Sequence, residues 1–319
     1  MVEKLGTRDV YGTTLVELGE KYPELVVLDA DLSGSTRTAK FGAKFPERFF
    51  NLGVQEQNLM SAAAGMALRG KIPFVSTFAI FAAGRAWEQV RNSVCFNNVN
   101  VKIVASHGGL TVGADGGTHQ ALEDIGTMRI LPNMRVILPG DGHEADAIFR
   151  SIVDIPGPFY VRVSREKFPV LYDEGVEFQL GKAKVHSRGS DATIIACGYM
   201  VHKALEASQM LGEDGLQVGV INMSTIKPID RDEILRAAQE SGAIVTAEEH
   251  SIIGGLGGAV AEVVGETHPV PVIRIGMKDQ FGKSGDPAEL FEEFGITSKT
   301  IAEAVHKAIS LKQTSAASR

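Results

Sequence analysis

Short, almost continuously apolar runs alternate with helix-period segments along this chain of 319 residues, and no other feature limits its fold as much. The first five runs are Leu25–Asp31 (LVVLDAD), Ile72–Phe78 (IPFVSTF), Val101–His107 (VKIVASH), Met134–Pro139 (MRVILP) and Pro158–Ser164 (PFYVRVS). Each is β-rich and lacks an alternating polar face, which suits a strand covered on both sides. Around them, Asp9–Tyr22, Gln55–Arg69, Ala79–Cys95, Gln120–Arg129 and Gly142–Val153 read as helices. This βα alternation predicts a parallel sheet with helices on both faces.

A polar, glycine-punctuated stretch at Val170–Ser190 interrupts the rhythm, which then restarts. ATIIACG, QVGVINM, AIVTAEEH and VPVIRIG alternate with helices near Val201–Leu211, Arg231–Glu240, Gly257–Gly265 and Ser298–Leu311. The chain is long enough for two cores. The expected architecture is α/β in two domains, 1–180 and 185–312, each a mainly parallel sheet with helices on both faces. A small polar tail is expected at 313–319.

A formal net charge of −7 argues against a nucleic-acid binder, which usually carries a basic face. Cys95 and Cys197 lie in unrelated apolar contexts with no Cys or His at metal-ligand spacing. Buried free thiols in a reducing cytoplasm are expected, and no metal site. No secretory leader is visible, and the apolar run Ser61–Leu68 is far shorter than the ~20 residues that span a bilayer. Two glycine motifs carry no chemistry. GGLGG at Gly254–Gly258 has Val260 where a dinucleotide fingerprint needs a third glycine, and reads as a tight strand-to-helix turn. GDG at Gly140–Gly142 resembles the start of a diphosphate–Mg²⁺ motif, yet no Asn follows before Asn222. It reads as a loop and helix cap.

Three groups of residues carry chemistry. Glu56, in NLGVQEQNLM, opens an Ala-rich helix after a short β-like run. Taken alone it reads as a first-turn acid favoured by the helix dipole rather than a functional group. Phe78 and Phe81 follow a strand at i, i+3 spacing, which gives either an aromatic wall or ordinary core packing. The loop SHGGLTVGADGGTHQ (Ser106–Gln120) brings His107, Asp115 and His119. It is too Gly-rich and polar for a core, so its amides and side chains are expected to face outward. An acid, an aromatic wall and a polar loop are the parts needed to hold and ionise an aminopyrimidine ring. A carboxyl group bonded to the ring nitrogen of thiamine drives the imino tautomer that serves as the cofactor's internal base. Arg8, Ser35 and Arg165 each read singly as surface residues; with His107 they would form a phosphate clamp.

These blocks carry a resemblance. TRDVYGTTL, DADLSGST, GVQEQN, STFAIF, SHGGLTVGADGGTHQ, VSREKFP, NMSTIKPID and TAEEHSIIGGLGGAVAE resemble, in order and spacing, the C-terminal half of transketolase over nearly the whole chain. The resemblance implies a pyrimidine-binding domain followed by a transketolase C-terminal domain. It implies that Glu56 activates thiamine diphosphate, that Phe78 and Phe81 line the pyrimidine pocket, and that Asp31 lies near the thiazolium across a subunit contact. Arg8, Ser35, His107 and Arg165 would hold the sugar phosphate. Asp115 would read hydroxyl stereochemistry, and His119 would touch the reacting two-carbon end. The family's third pocket aromatic is Gly84 here, with Trp87 one turn on as the candidate substitute. The domain that grips the diphosphate and its Mg²⁺ or Ca²⁺ has no counterpart in this sequence. The implied protein is the small subunit of a split transketolase, which pairs with itself and a larger subunit in a heterotetramer and transfers a ketol unit between sugar phosphates. A deoxyxylulose-phosphate-synthase-like or 2-oxoacid dehydrogenase β-like chain shares the architecture and the acid, and a non-catalytic assembly subunit would share the fold.

Overall fold

The computed structural model describes residues 3–317. A seven-stranded sheet has the spatial order Thr225–Lys227, Arg135–Ile137, Phe159–Val163, Lys102–Ser106, Ile72–Phe78, Leu25–Asp29, Phe49–Asn51. All its pairs are parallel except the edge pair made by Thr225–Lys227. A five-stranded sheet has the order Val272–Met277, Ile244–Ser251, Ala192–Ala196, Val218–Asn222, Lys184–Ser187, and only the last strand runs antiparallel. Lys4–Gly6 and Lys167–Pro169 form a small antiparallel ribbon. The two-sheet α/β architecture is the one the apolar rhythm predicts. The central strands Leu25–Asp29, Lys102–Ser106 and Phe159–Val163 are buried at every position, as continuous apolar runs require.

Helices cover both faces of the first sheet because each presents an apolar stripe to it. Helix Gly142–Ile152 buries Ala145, Ile148, Phe149 and Ile152 at helical spacing. It meets helix Thr7–Lys21 through Phe149 and Tyr11, whose ring centroids lie 4.9 Å apart. Its start is the GDG cap foreseen from sequence: the Asp141 side chain accepts from the Glu144 amide at 2.8 Å. The GGLGG segment is likewise a turn into helix Leu256–Thr267, and Glu248 receives the Leu256 and Gly257 amides, each at 2.7 Å.

Several expectations need correction. The Val170–Ser190 break contains strand Lys184–Ser187, which pairs with Val218–Asn222. Thr225–Lys227 belongs to the second half of the sequence and the first sheet, because it extends that sheet at an open edge. The segment expected as one helix, Ala79–Cys95, is broken into a π-helical turn at Phe81–Arg85, a short helix at Trp87–Gln89 and a second π-helical turn at Val90–Cys95. The helix expected from Gln120 begins only at Asp124. Helix Pro287–Phe294 was not foreseen, although Asp286 caps it and Pro287 opens it. The expected tail starts inside the last helix, Ser298–Ala317, since nothing in the sequence there stops helix propagation. Both cysteines are buried and free. No helix among the described residues is long and apolar enough to cross a membrane.

Candidate active site

The predicted residues collect at the carboxyl ends of the parallel strands, the usual position for ligand sites in open α/β sheets. Phe78 ends strand Ile72–Phe78, His107 follows Lys102–Ser106, Arg165 follows Phe159–Val163 and Asp31 follows Leu25–Asp29. Three site residues, Asp31 (φ 63°), Arg37 (φ 70°) and His107 (φ 60°), occupy the left-handed region. Each costs about 1–3 kcal/mol relative to relaxed backbone, strain that concentrates where a fold aims side chains at a ligand.

Glu56 opens helix Glu56–Leu68, and its side chain is fully buried. Its carboxylate receives Arg85 Nη1 on both oxygens, at 2.9 and 3.1 Å. Phe78 and Phe81 stack with ring centroids 5.9 Å apart and planes 12° from parallel. The His119 imidazole stands edge-on to both rings, at 6.2 and 5.6 Å. Phe78, Phe81 and His119 therefore form one group, and Glu56 joins it through Arg85, whose guanidinium carbon lies 4.6 Å from the Phe81 ring centroid. Gly84 faces open space: a Cβ added there meets nothing within 4 Å. Trp87 does not fill that wall, because its ring packs on the core and its indole N–H donates to the Thr127 carbonyl at 2.9 Å.

The second group is cationic. Arg8 Nη1 donates to the Ser35 carbonyl at 3.0 Å and lies 3.5 Å from His107 Nε2, and Arg8 Nε is buried with no partner. Arg165 Nη1 donates to the Val112 carbonyl at 2.8 Å and to Asp115 Oδ1 at 3.2 Å. Arg37 donates through Nε to Asp9 at 2.6 Å and through Nη1 to the Gly34 carbonyl at 3.1 Å. Burial first, and then the neighbouring charges of Arg8, Arg165, His119 and Arg37, together lower the pKa of His107 to about 3. The ring is neutral at working pH, and Ser106 Oγ sits 2.8 Å from its Nδ1. Burial, Arg37 and Arg165 also lower the pKa of Arg8. Three guanidinium groups crowded around a neutral imidazole, with one buried N–H unpaired, suit a bidentate oxyanion such as a phosphate.

Asp29 builds the turn that presents Ser35 and Arg37. Its buried carboxylate takes the Leu32 amide at 2.6 Å and the Thr36 and Thr38 hydroxyls at 2.7 and 2.8 Å. Asp31 stands apart from both groups: its carboxylate accepts from Asn51 at 3.0 Å.

The loop Ser106–Gln120 does not face outward as expected. Ser106 to Gly113 are all buried, and Ala114, Asp115 and Thr118 are exposed. The loop lies against the second half of the chain. The Thr111 amide donates to Glu249, and Gln120 Nε2 donates to the Lys283 carbonyl at 3.0 Å. Glycine is required for this approach: Gly109 is left-handed (φ 80°) against the Glu249 side chain, and a methyl at Gly117 would strike the Gly282 carbonyl oxygen. Beneath the loop, Arg162 pairs with Asp124 at 3.0 Å and donates to the Glu249 carbonyl at 3.0 Å. Tyr160 donates to the second oxygen of Asp124 at 2.6 Å.

Sequence reading missed Arg85 and Arg37. The signal for Arg37 was available, as the first cation after the DLSGST turn. Arg85 left no comparable signal, because a regular helix through Ala79–Cys95 would have put it in a different direction.

Residues 3–170 match the family described as transketolase, pyrimidine binding domain, and residues 181–301 match transketolase, C-terminal domain. The chain is 50% identical over 303 residues to a protein of Methanocaldococcus jannaschii provisionally described as a transketolase C-terminal section, covering 94% of this chain and 95% of that one. It is 42% identical over 306 residues to the 6-deoxy-6-sulfo-D-fructose transketolase subunit SqwH of Clostridium sp. (strain MSTE9), covering 96% and 95%. A solved structure titled split gene transketolase, inactive beta4 tetramer, is 50% identical and superposes with a TM-score of 0.91 over 97% of this chain and 99% of that one. The class so defined is a transferase-type α/β chain built from a pyrimidine-binding and a C-terminal domain. The chain belongs to the transketolase family, whose members depend on thiamine diphosphate.

Proposed function

We propose that this chain is the C-terminal subunit of a split transketolase, transferring a two-carbon ketol unit reversibly from a ketose phosphate to an aldose phosphate. The observation that carries this reading is the junction of the two groups: the His107 ring lies flat on Phe78, centroids 3.9 Å apart. An acid with an aromatic wall thus abuts a three-guanidinium anion site. Residues 1–180 act as the pyrimidine-binding unit and 185–312 as the C-terminal unit.

The residues present fit the pyrimidine half of thiamine diphosphate: a buried carboxylate, stacked rings and open space at Gly84. When bound, the cofactor supplies a nucleophilic carbon. Glu56 bonds the ring nitrogen, and Phe78 and Phe81 hold the ring plane and exclude water. Arg8, Ser35, His107 and Arg165 hold the substrate phosphate. Asp115 contacts the sugar hydroxyls, His119 lies by the two-carbon end, and Asp31 reaches the thiazolium at the subunit contact. The diphosphate and its Mg²⁺ or Ca²⁺ belong to an N-terminal partner subunit. The relative titled as a split-gene tetramer, inactive in that form, supports both the partner and a heterotetramer built on self-association.

The test is reconstitution with the diphosphate-binding subunit. The pair is assayed with xylulose phosphate plus ribose phosphate, and with pyruvate plus glyceraldehyde phosphate. Ketol transfer in the first assay, lost about 10²–10⁴-fold in Glu56→Gln, is expected. Turnover only with pyruvate, or a Glu56→Gln pair as fast as the parent, refutes the reading.

A further inference from the structure

Arg85 meets two parts of the pyrimidine site at once. Its Nη1 bridges both oxygens of the buried Glu56 carboxylate, and its guanidinium carbon sits 4.6 Å from the centroid of the Phe81 ring. The π-helical turn Phe81–Arg85 makes this possible, with the Ala86 amide bonding back to the Phe81 carbonyl at 3.1 Å. Such turns insert one residue into a helix and recur at functional sites. Among the described residues, Arg85 supplies both side-chain hydrogen bonds to the Glu56 carboxylate. About four lone-pair positions serve a carboxylate, and Arg85 takes two, so a ring nitrogen can still bond there.

We infer that Arg85 is a positioning residue for Glu56, a role resting on the transketolase reading above: its guanidinium holds the Glu56 carboxylate ionised, so that the proton shared with the cofactor's pyrimidine nitrogen resides on the ring. The physical basis is charge. Proton transfer from the ring to Glu56 would leave the guanidinium facing a neutral acid and forfeit a close ion pair with a partner cut off from water. The proton moves only between two heavy atoms, and no other reactant is consumed. The imino tautomer, which carries a proton on that nitrogen, is thereby favoured. Arg85 is about half exposed at its side chain, so covering by a second subunit would strengthen the pair by excluding water.

The experiment uses the reconstituted complex loaded with thiamine diphosphate. Circular dichroism reads the imino fraction of the bound ring, and titration reads cofactor affinity. Variants are Arg85→Ala, Arg85→Lys and Glu56→Gln. Removing the guanidinium leaves the buried carboxylate without its ion-pair partner. Arg85→Ala is therefore expected to cut the ratio of imino to amino form at least about tenfold, lower kcat correspondingly and leave KM within about twofold. Arg85→Lys, which keeps the charge, should recover most of the imino signal. If Arg85→Ala fails to assemble, Arg85→Gln takes its place. Unchanged imino signal in the neutral variant, or a rise in both that signal and cofactor affinity, overturns the inference. Glu56→Gln separates the two failures: if it keeps the imino signal, the Glu56 reading is wrong, whereas loss there with no effect at Arg85 refutes only the role of Arg85.

Discussion

The imidazole of His107 lies on the face of Phe78, ring centroids 3.9 Å apart and planes 22° from parallel. One aromatic ring thus touches both Phe81, the neighbour of Arg85 and its partner Glu56, and His107, the neighbour of Arg8 in the cationic group. Moving Phe78 or His107 displaces the other.

His107 should therefore be read as a neutral hydrogen-bonding group. Its folded pKa, about 3, lies below its ordinary value of 6.5. Between these values the unfolded chain binds a proton that the folded chain refuses, so stability falls as pH drops through about 6.5 toward 3. His107→Asn suits the left-handed backbone and does not titrate. Its unfolding midpoint should depend less steeply on pH across that window, as measured by thermal melts; an unaltered slope would count against a buried neutral ring.

Arg165 and Arg37 should separate phosphorylated from unphosphorylated substrates. Charged hydrogen bonds contribute about 1.5–3 kcal/mol each, so Arg165→Ala should lower kcat/KM for a phosphorylated ketose roughly 10- to 100-fold. An unphosphorylated ketose should lose far less. Arg37→Ala should behave likewise and more weakly, because Asp9 shares its charge. Equal losses for both substrates would remove either residue from the anion site.

Gly117 should be intolerant of a methyl group. Its neighbour across the domain contact is backbone, the Gly282 carbonyl, which cannot rotate away as a side chain can. Gly117→Ala should cost about 1–3 kcal/mol and shift the loop that carries Asp115 and His119. Thermal melts and KM for the sugar should both worsen. A variant that melts with the parent would show that the two halves separate at this point.

Glu249 should make stability fall as pH rises from the acid range toward neutral. Burial raises its pKa to about 7, against the pull of Arg162 and the Thr111 amide. For a raised acid, the contribution is complete below the unfolded value near 4.5 and disappears as pH rises through about 7. Glu249→Gln keeps an acceptor for Thr111 and does not titrate. Its stability should decline less than the parent's from about pH 5 to pH 8, and a parallel decline would refute the assignment.

Much of this protein was written in local pattern. Apolar runs buried on both faces required parallel strands, because burying a strand's two faces needs no partner-specific information. The short separation of Phe78 and Phe81 kept their rings close, and the stack forms where strand Ile72–Phe78 gives way to the π-helical turn. Capping by Asp141 was legible for the same reason, because the groups that bond belong to neighbouring residues of one turn.

Tertiary structure alone decided the rest. The Gly-rich loop looked solvent-facing because its composition is polar, yet Glu249 and Lys283, far along the chain, bury and bond it. Arg85 reaches Glu56 only because the intervening helix takes a π-helical turn, a register change invisible to a 3.6-residue period. Arg8, Arg37 and Arg165 come from separate segments and converge where strand ends meet. Sequence period fixes which face a residue occupies on its own element, whereas a site depends on where several elements place their ends, and that is settled by packing between distant parts of the chain.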